Sequence, residues 1–275
     1  MVFRKKYCFR FGLLVVAAML FLVLSHCTNK FVFPGQSMIN PDERPVFMEK
    51  ILHSYYHTFS VNGETLEGWS REVPGTPLIV YYGGNAEDVL YRTEELVTWG
   101  CSFLAVNYRG FGRSTGSPSQ KDVVDDAVVL LDLAVSGRGK SWDDVVLLGQ
   151  SIGSGVAVQV ASQRPVSKMV LLVPFDSLES VAKEMIPWLP VSWLLDSPFR
   201  SDELAPGITC PVAIYAAEED RVIPVHHARN LARLFPNLTN YRELPGISHM
   251  GLLGNPRFSK ILRQECCEKS ATKRT

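Results

Sequence analysis

The chain has 275 residues, of which 46% are hydrophobic and 20% are charged. This composition is typical of a folded globular protein and excludes disorder over most of the length. The 28 basic and 28 acidic residues give a formal net charge of zero, so the overall charge gives no reason to expect a nucleic-acid partner. A chain of this length can form one α/β domain that needs no disulfide or metal to fold.

The first 26 residues have the organisation of a targeting segment, because basic residues and no acidic ones precede the apolar run 11–24. That run is shorter than the ~20 residues that span a bilayer and is closer to the apolar region of a secretory signal. Cys27 follows Leu-Ser-His, which resembles a bacterial lipobox, although His26 stands where that pattern has a small residue.

Three interpretations of this segment remain open: a lipoprotein acylated on Cys27, an uncleaved signal anchor, and a cleaved signal peptide. In all three the body of the protein leaves the cytoplasm for the cell envelope. In the first two it stays attached to a membrane through its N-terminus. We assign residues 1–26 to the targeting segment, 27–44 to an extended lead-in, 45–265 to one folded domain and 266–275 to a polar tail.

The folded domain has a pattern of alternating strands and helices. An Asn-Gly pair at 62–63 between two β-type runs predicts a hairpin. Apolar runs predict further strands at 78–82, 102–107, 145–148, 169–173, 212–216 and 241–244, and helical spacing predicts helices at 87–99, 121–135, 155–162, 228–235 and 252–263. This alternation predicts a mostly parallel sheet with helices on both faces and antiparallel strands at the N-terminal edge. Functional residues of such a sheet lie beyond the carboxyl ends of its strands.

Residues 149–153 read Gly-Gln-Ser-Ile-Gly, a G-x-S-x-G pattern that follows the strand run 145–148 and precedes a helix of small residues. Glycines at both ends permit a turn tight enough to hold the serine in a strained conformation with its Oγ exposed. The alternative is a glycine-rich turn with an incidental serine. The position of the G-x-S-x-G pattern between a strand and a helix favours Ser151 as a nucleophile.

A serine hydroxyl needs a base to attack a carbonyl group. Among the six histidines, His249 lies in a loop past the carboxyl end of the last predicted strand. The others are His26 in the targeting segment, His53 and His57 in the early hairpin, and His226 and His227 at the start of a helix, where we expect them to be exposed. We therefore predict that His249 is the base, the alternative being an ordinary surface histidine.

The imidazole in turn needs an acid that fixes its tautomer. Asp220 follows the strand run 212–216, and the order serine, aspartate, histidine along the chain is the one expected for this type of turn. The competing acids are Glu218, Glu219 and Asp176, the last of which also follows a strand. We predict Asp220.

From about residue 45 to 262 the sequence resembles an α/β-hydrolase. The stretches that carry the resemblance are 82–86, 107–114, 149–153, 217–224 and 246–249. Within that superfamily the chain is similar to the compact single-domain branch that includes membrane-associated serine hydrolases and depalmitoylase-like thioesterases. The resemblance implies an α/β-hydrolase fold with a small cap insertion.

The resemblance also implies an oxyanion hole built from two backbone N–H groups, those of Ile152 and Asn85. The branch often has His-Gly-Asn-Ala where this sequence has Gly-Gly-Asn-Ala at 83–86. The implied activity is hydrolysis of a carboxylic ester or thioester of a small or lipid-like substrate through an acyl-enzyme, with no metal and no cofactor. An acyltransferase with the same triad, or a non-catalytic membrane-tethered binding protein, are the alternatives.

Residues 185–195, between two predicted strands, are rich in apolar side chains and include Trp188 and Trp193. They form either a crossover helix packed on the sheet or a small cap with an apolar underside above the nucleophile.

The six cysteines match no zinc pattern. We expect Cys101 and Cys210 to pack in the core, and we expect no structural disulfide at Cys266 and Cys267, which adjoin each other in the polar tail.

Overall fold

The computed structural model describes residues 30, 32–137, 139–252 and 255–268. The predicted targeting segment and Cys27 lie outside these residues. Within them, every helix is too short or too polar to span a bilayer.

In the described part of the chain, eight strands form one sheet. They are β1 (Tyr56–Val61), β2 (Glu64–Arg71), β3 (Leu78–Tyr82), β4 (Ser102–Val106), β5 (Val145–Gln150), β6 (Lys168–Leu172), β7 (Val212–Ala217) and β8 (Leu238–Leu244). Their spatial order is β1-β2-β4-β3-β5-β6-β7-β8. The pairs β1–β2 and β2–β4 are antiparallel and the other pairs are parallel, which confirms the predicted fold class.

Helices cover both faces of the sheet. The α-helices of the described residues are α1 (Gly35–Met38), α2 (Val46–Leu52), α3 (Val89–Trp99), α4 (Gln120–Gly137), α5 (Ile152–Ala161), α6 (Leu178–Met185), α7 (Val191–Leu194), α8 (Ser201–Leu204), α9 (Val225–Ala232) and α10 (Pro256–Cys267). Helices α4, α5 and α9 pack on one face, and α2, α3 and α10 pack on the other. Side chains alternate between these two cores along each strand, with Val80 on one side and Ile79 and Tyr81 on the other.

Two local predictions are confirmed by backbone conformation. Asn62 and Gly63 both have positive φ, at 48° and 83°, as the two-residue turn of a tight hairpin requires. Gly100 ends α3 with a φ of 77°, the left-handed conformation in which glycine carries no steric penalty.

The described residues 32–44 do not form the extended lead-in that the sequence predicted. Helix α1 is followed by a 3₁₀ turn at Pro41–Glu43, in which the Asn40 side chain accepts a hydrogen bond from the Asp42 N–H. Phe33 is buried among the rings of three other aromatic residues, Tyr108, Phe111 and Phe199. The segment therefore belongs to the folded domain.

The C-terminal boundary and the cysteine prediction are also wrong. Helix α10 continues to Cys267, and Cys266 is fully buried against the sheet. Cys267 forms a disulfide with Cys101, which lies just before β4; the two Cα atoms are 6.3 Å apart. The sequence did not predict this contact, because the tail is polar and the two cysteines are 166 positions apart. Packing of α10 beside α3 brings them together.

A buried ion network joins the N-terminal segment to the sheet and to α3. The Arg44 guanidinium donates to both carboxylate oxygens of Glu67 and, over 2.6 Å, to Asp88. Asn107 Nδ2 donates to the same two carboxylates. Burial acts to lower the pKa of Arg44, but the hydrogen bonds to the two acids outweigh it and raise the pKa above its usual range.

Replacing Arg44 by methionine should destabilise the protein strongly. The change leaves the Glu67 and Asp88 carboxylates buried without a counter-ion, so we expect the free energy of unfolding to fall by ~3–5 kcal/mol. Urea denaturation at neutral pH measures it. The matched control is Arg113→Met, which removes a half-exposed pair with Glu49 and should cost less than ~1 kcal/mol. Equal losses for both variants would contradict this account of the network.

Candidate active site

Ser151 lies in the turn between β5 and α5 with φ 52° and ψ −120°. This is a strained conformation for a residue with a side chain. The Ser151 N–H donates to the Leu172 carbonyl of β6 over 2.9 Å, so pairing with the neighbouring strand holds the turn. A Cβ at Gly153 would lie 2.1 Å from the Tyr82 carbonyl oxygen, and one at Gly149 would lie 2.3 Å from the Gly153 carbonyl oxygen. Only glycine fits at these two positions.

The structure brings Ser151, His249 and Asp220 together beyond the carboxyl ends of β5, β8 and β7. His249 Nε2 lies 3.0 Å from Ser151 Oγ, and His249 Nδ1 lies 2.7 Å from Asp220 Oδ2. The other Asp220 oxygen accepts from the backbone N–H groups of Val222 and Ile223, each over 2.8 Å. A carboxylate held in this way accepts a hydrogen bond from Nδ1–H of the imidazole, which keeps the proton on Nδ1 and leaves the Nε2 lone pair directed at the serine hydroxyl.

The competing acids lie elsewhere. Glu218 and Glu219 are exposed to solvent. Asp176 pairs with a different histidine: its Oδ1 lies 2.8 Å from His227 Nδ1. His227 is buried, not exposed as the sequence predicted. Burial acts to lower the pKa of His227, but its hydrogen bond to Asp176 and the nearby carboxylates raise it overall.

The loop after β3 lies against Ser151 and is braced by Glu87. The Glu87 carboxylate accepts from the Gly84 N–H over 2.8 Å and from the Tyr81 hydroxyl. The Tyr108 hydroxyl donates to the Gly83 carbonyl over 2.9 Å. This role of Glu87 was not predicted from the sequence. The signal was an acidic residue three positions after Gly84, the spacing at which a carboxylate reaches back to a backbone N–H.

Ser151 and His249 open into a cleft of about 1200 Å³. Its walls come from 38–44, from 84–98, from 249–250 and from 255–259, and they include Asn85 and the apolar side chains of Met38, Ile39, Tyr91 and Met250. The charged side chains of the cleft are Glu43, Arg44, Glu87, Asp88, Arg92, Glu94 and Glu95. The cleft therefore combines an apolar wall, made by these four apolar side chains, with charged side chains, of which Arg44, Asp88 and Arg92 are buried.

The apolar stretch 185–195 does not form the expected underside of a cap. Among the described residues, those that line the cleft include none from 176–206. Trp188 and Trp193 are 82% and 76% exposed. Only Val191 and Leu194 in this stretch are buried, by packing of the short helix α7. The N-terminal segment and α3, rather than residues 185–195, form the wall of the cleft beside Ser151.

Comparisons with known proteins give the following relatives. Residues 82–203 match the family described as "Serine aminopeptidase, S33". An uncharacterized protein of Mycobacterium tuberculosis is 30% identical over 224 residues, which cover 78% of this chain and 75% of that protein. A lysophosphatidylserine lipase of Xenopus tropicalis, ABHD12, is 30% identical over 239 residues, which cover 73% of this chain and 60% of the lipase.

Among solved structures, an α/β hydrolase from Vibrio vulnificus has the same fold, with a TM-score of 0.69 at 16% identity over 86% of this chain and 89% of that one. At this level of identity the likeness concerns the fold, and chemistry has to be argued from the site.

Proposed function

Because this chain belongs to the α/β-hydrolase superfamily and is a hydrolase, we propose that Ser151, His249 and Asp220 form its catalytic triad. The observation that carries this proposal is the continuous relay of two hydrogen bonds from Asp220 through His249 to the strained serine. We further propose that the bond cleaved is a carboxylic ester or thioester in a lipid-like substrate.

In the proposed reaction Ser151 Oγ attacks the acyl carbonyl carbon while His249 Nε2 takes the hydroxyl proton. The same imidazole then gives that proton to the leaving alcohol or thiol as the tetrahedral intermediate collapses to an acyl-enzyme. A water molecule that transfers its proton to His249 cleaves the acyl-enzyme and restores the serine. Asp220 keeps the ring oriented and stabilises the imidazolium formed in each step.

The negative oxygen of the intermediate is proposed to bind the backbone N–H groups of Ile152 and Asn85. Ile152 is the first residue of α5, where N–H groups and the helix dipole favour a negative charge. The Gly84 N–H is already engaged by Glu87, so the next N–H along the loop is the one available on that wall of the cleft. One such donor typically contributes ~10²–10³ in rate.

The shape and charge of the cleft support an amphiphilic acyl substrate. An apolar wall of Met38, Ile39 and Tyr91 suits an acyl chain, and the exposed charged side chains of the cleft, Glu43 and Glu94, suit a polar head group. The name of the Xenopus relative, a lysophosphatidylserine lipase, points to the same class of substrate. The predicted N-terminal membrane attachment and the likeness to the depalmitoylase-like branch are further proposals, and both would place the cleft near acylated molecules.

Labelling with a fluorophosphonate tests the nucleophile. We expect one adduct on Ser151, found by intact mass and peptide mapping, and no adduct in Ser151→Ala, whose ester hydrolysis should fall by at least ~10⁴-fold. Ser162→Ala, a change at an exposed position after α5, is the control and should keep both labelling and activity. Labelling of Ser151→Ala at the wild-type level would refute the assignment.

Exchange of each aspartate for asparagine tests the acid. Asp220→Asn presents an amide to His249 and favours the wrong tautomer, so we expect kcat to fall by ~10³–10⁴-fold. Asp176→Asn has the same change of size and charge next to His227 and should keep kcat within about threefold, because Asp176 does not contact the relay. Steady-state kinetics of the two variants give the ranking, and the reverse ranking would move the acid to Asp176.

A series of acyl esters of increasing chain length tests the substrate class. Each methylene that leaves water against the apolar wall contributes up to ~0.8 kcal/mol, or about fourfold. We expect kcat/KM to rise from acetyl to medium-length chains, mostly through a lower KM. Tyr91→Ala should flatten this trend, while Trp193→Ala, outside the cleft, should leave it unchanged. A decline from acetyl onward in the wild type would exclude an acyl-binding wall.

A further inference from the structure

A second group of ligand-type side chains lies apart from the Ser151 cleft, between α6 and α9. Glu184 lies near the end of α6, and His226 and His227 lie in the first turn of α9. One ligand atom from each of the three residues lies within 4.8 Å of the other two. Glu184 Oε2 is 2.8 Å from His226 Nε2 and 3.3 Å from His227 Nε2. None of the three lines the cleft that contains Ser151.

The orientation of His227 is fixed from behind by Asp176. The carboxylate of Asp176 accepts from His227 Nδ1 over 2.8 Å and is itself held by the Ser177 N–H over 2.7 Å and the Asn230 side chain over 3.3 Å. A proton on Nδ1 leaves the lone pair on Nε2, the ring nitrogen that lies 3.3 Å from Glu184 Oε2. A carboxylate behind an imidazole in this way is the usual support of a metal-binding histidine.

The other ring nitrogen of His227, Nε2, lacks a hydrogen-bond partner among the described residues. His227 Nε2 is buried and forms no hydrogen bond with any described residue. Its neighbour at 3.3 Å is a Glu184 oxygen, and in the neutral ring both atoms present lone pairs to each other. Two ligands of a tetrahedral ion, each at ~2.0–2.1 Å from the metal, lie about 3.3 Å apart. The separation of the two atoms therefore suits a cation bound by both.

We propose that Glu184, His226 and His227 bind a divalent transition-metal ion, Zn²⁺ fitting best. Two imidazoles and one carboxylate are a ligand set that Zn²⁺ accepts, and three protein ligands leave a coordination position for water. The side chains of Glu184 and His226 are 47% and 45% exposed, so the open position faces solvent. The ion joins α6, in the connection between β6 and β7, to α9, which follows the Asp220 loop.

Titration of the metal-free full chain, purified in mild detergent without a histidine tag, tests the site. We expect saturable binding of one Zn²⁺, an increase in Tm, and with Co²⁺ the visible absorption bands of a nitrogen- and oxygen-ligated ion. Glu184→Gln and His226→Gln should each weaken Zn²⁺ binding by at least ~100-fold, and Asp176→Asn by ~10–100-fold. The two ligand changes are at half-exposed positions, so the metal-free Tm should stay near the wild-type value.

Two controls separate this site from other histidines. His57→Gln removes an exposed imidazole on β1 and should leave the Zn²⁺ affinity unchanged. Ser151→Ala should also leave it unchanged, which distinguishes this site from metal bound at the proposed triad. If the wild type shows no saturable binding, or if Glu184→Gln binds Zn²⁺ as tightly as the wild type, the cluster is an ion pair that shares a proton and the proposal fails.

Discussion

The positive φ of Ser151 is the constraint on which the rest of the site depends. The turn is enclosed by strands β3, β5 and β6. It fits there because residues 149 and 153 are glycines, and a Cβ at either position would overlap backbone atoms. The Ser151 N–H donates a hydrogen bond to the Leu172 carbonyl of β6. The pairing of the central parallel strands therefore compensates for the strained backbone of Ser151. The regular pairing of the central strands thus holds a strained residue in place.

The buried charge of Arg44 holds in place the wall of the cleft that is formed by the N-terminal segment. Arg44 belongs to the N-terminal segment and also lines the cleft, and its partners Glu67 and Asp88 lie in β2 and at the start of α3. A buried ion network of this kind is costly to break, because the remaining carboxylates cannot be solvated. The N-terminal segment that carries Met38 and Ile39 is therefore joined to β2 and α3 by this network.

The features predicted correctly from the sequence are those that local patterns of residues encode. The buried runs gave the parallel strands, and the elements that follow them placed Ser151, Asp220 and His249 at one edge of the sheet. Long-range contacts were not predicted, because nothing near Cys267 in the sequence indicates that α10 packs beside Cys101. The cap interpretation of 185–195 went wrong for a related reason, since apolar content alone does not show which surface a segment covers.

The described part of the chain contains the aspartate–histidine pairs Asp220–His249 and Asp176–His227, in each of which a carboxylate accepts a hydrogen bond from Nδ1–H and leaves the lone pair of the neutral ring on Nε2. Their difference lies in what faces Nε2. At His249 it is the Ser151 hydroxyl, which can donate its proton, and the pair therefore suits activation of a nucleophile. At His227 it is the carboxylate of Glu184, which has no proton to donate, so the same pair attracts a cation. The atom opposite Nε2 thus separates the role in acyl chemistry that we propose for His249 from the metal binding that we propose for His227.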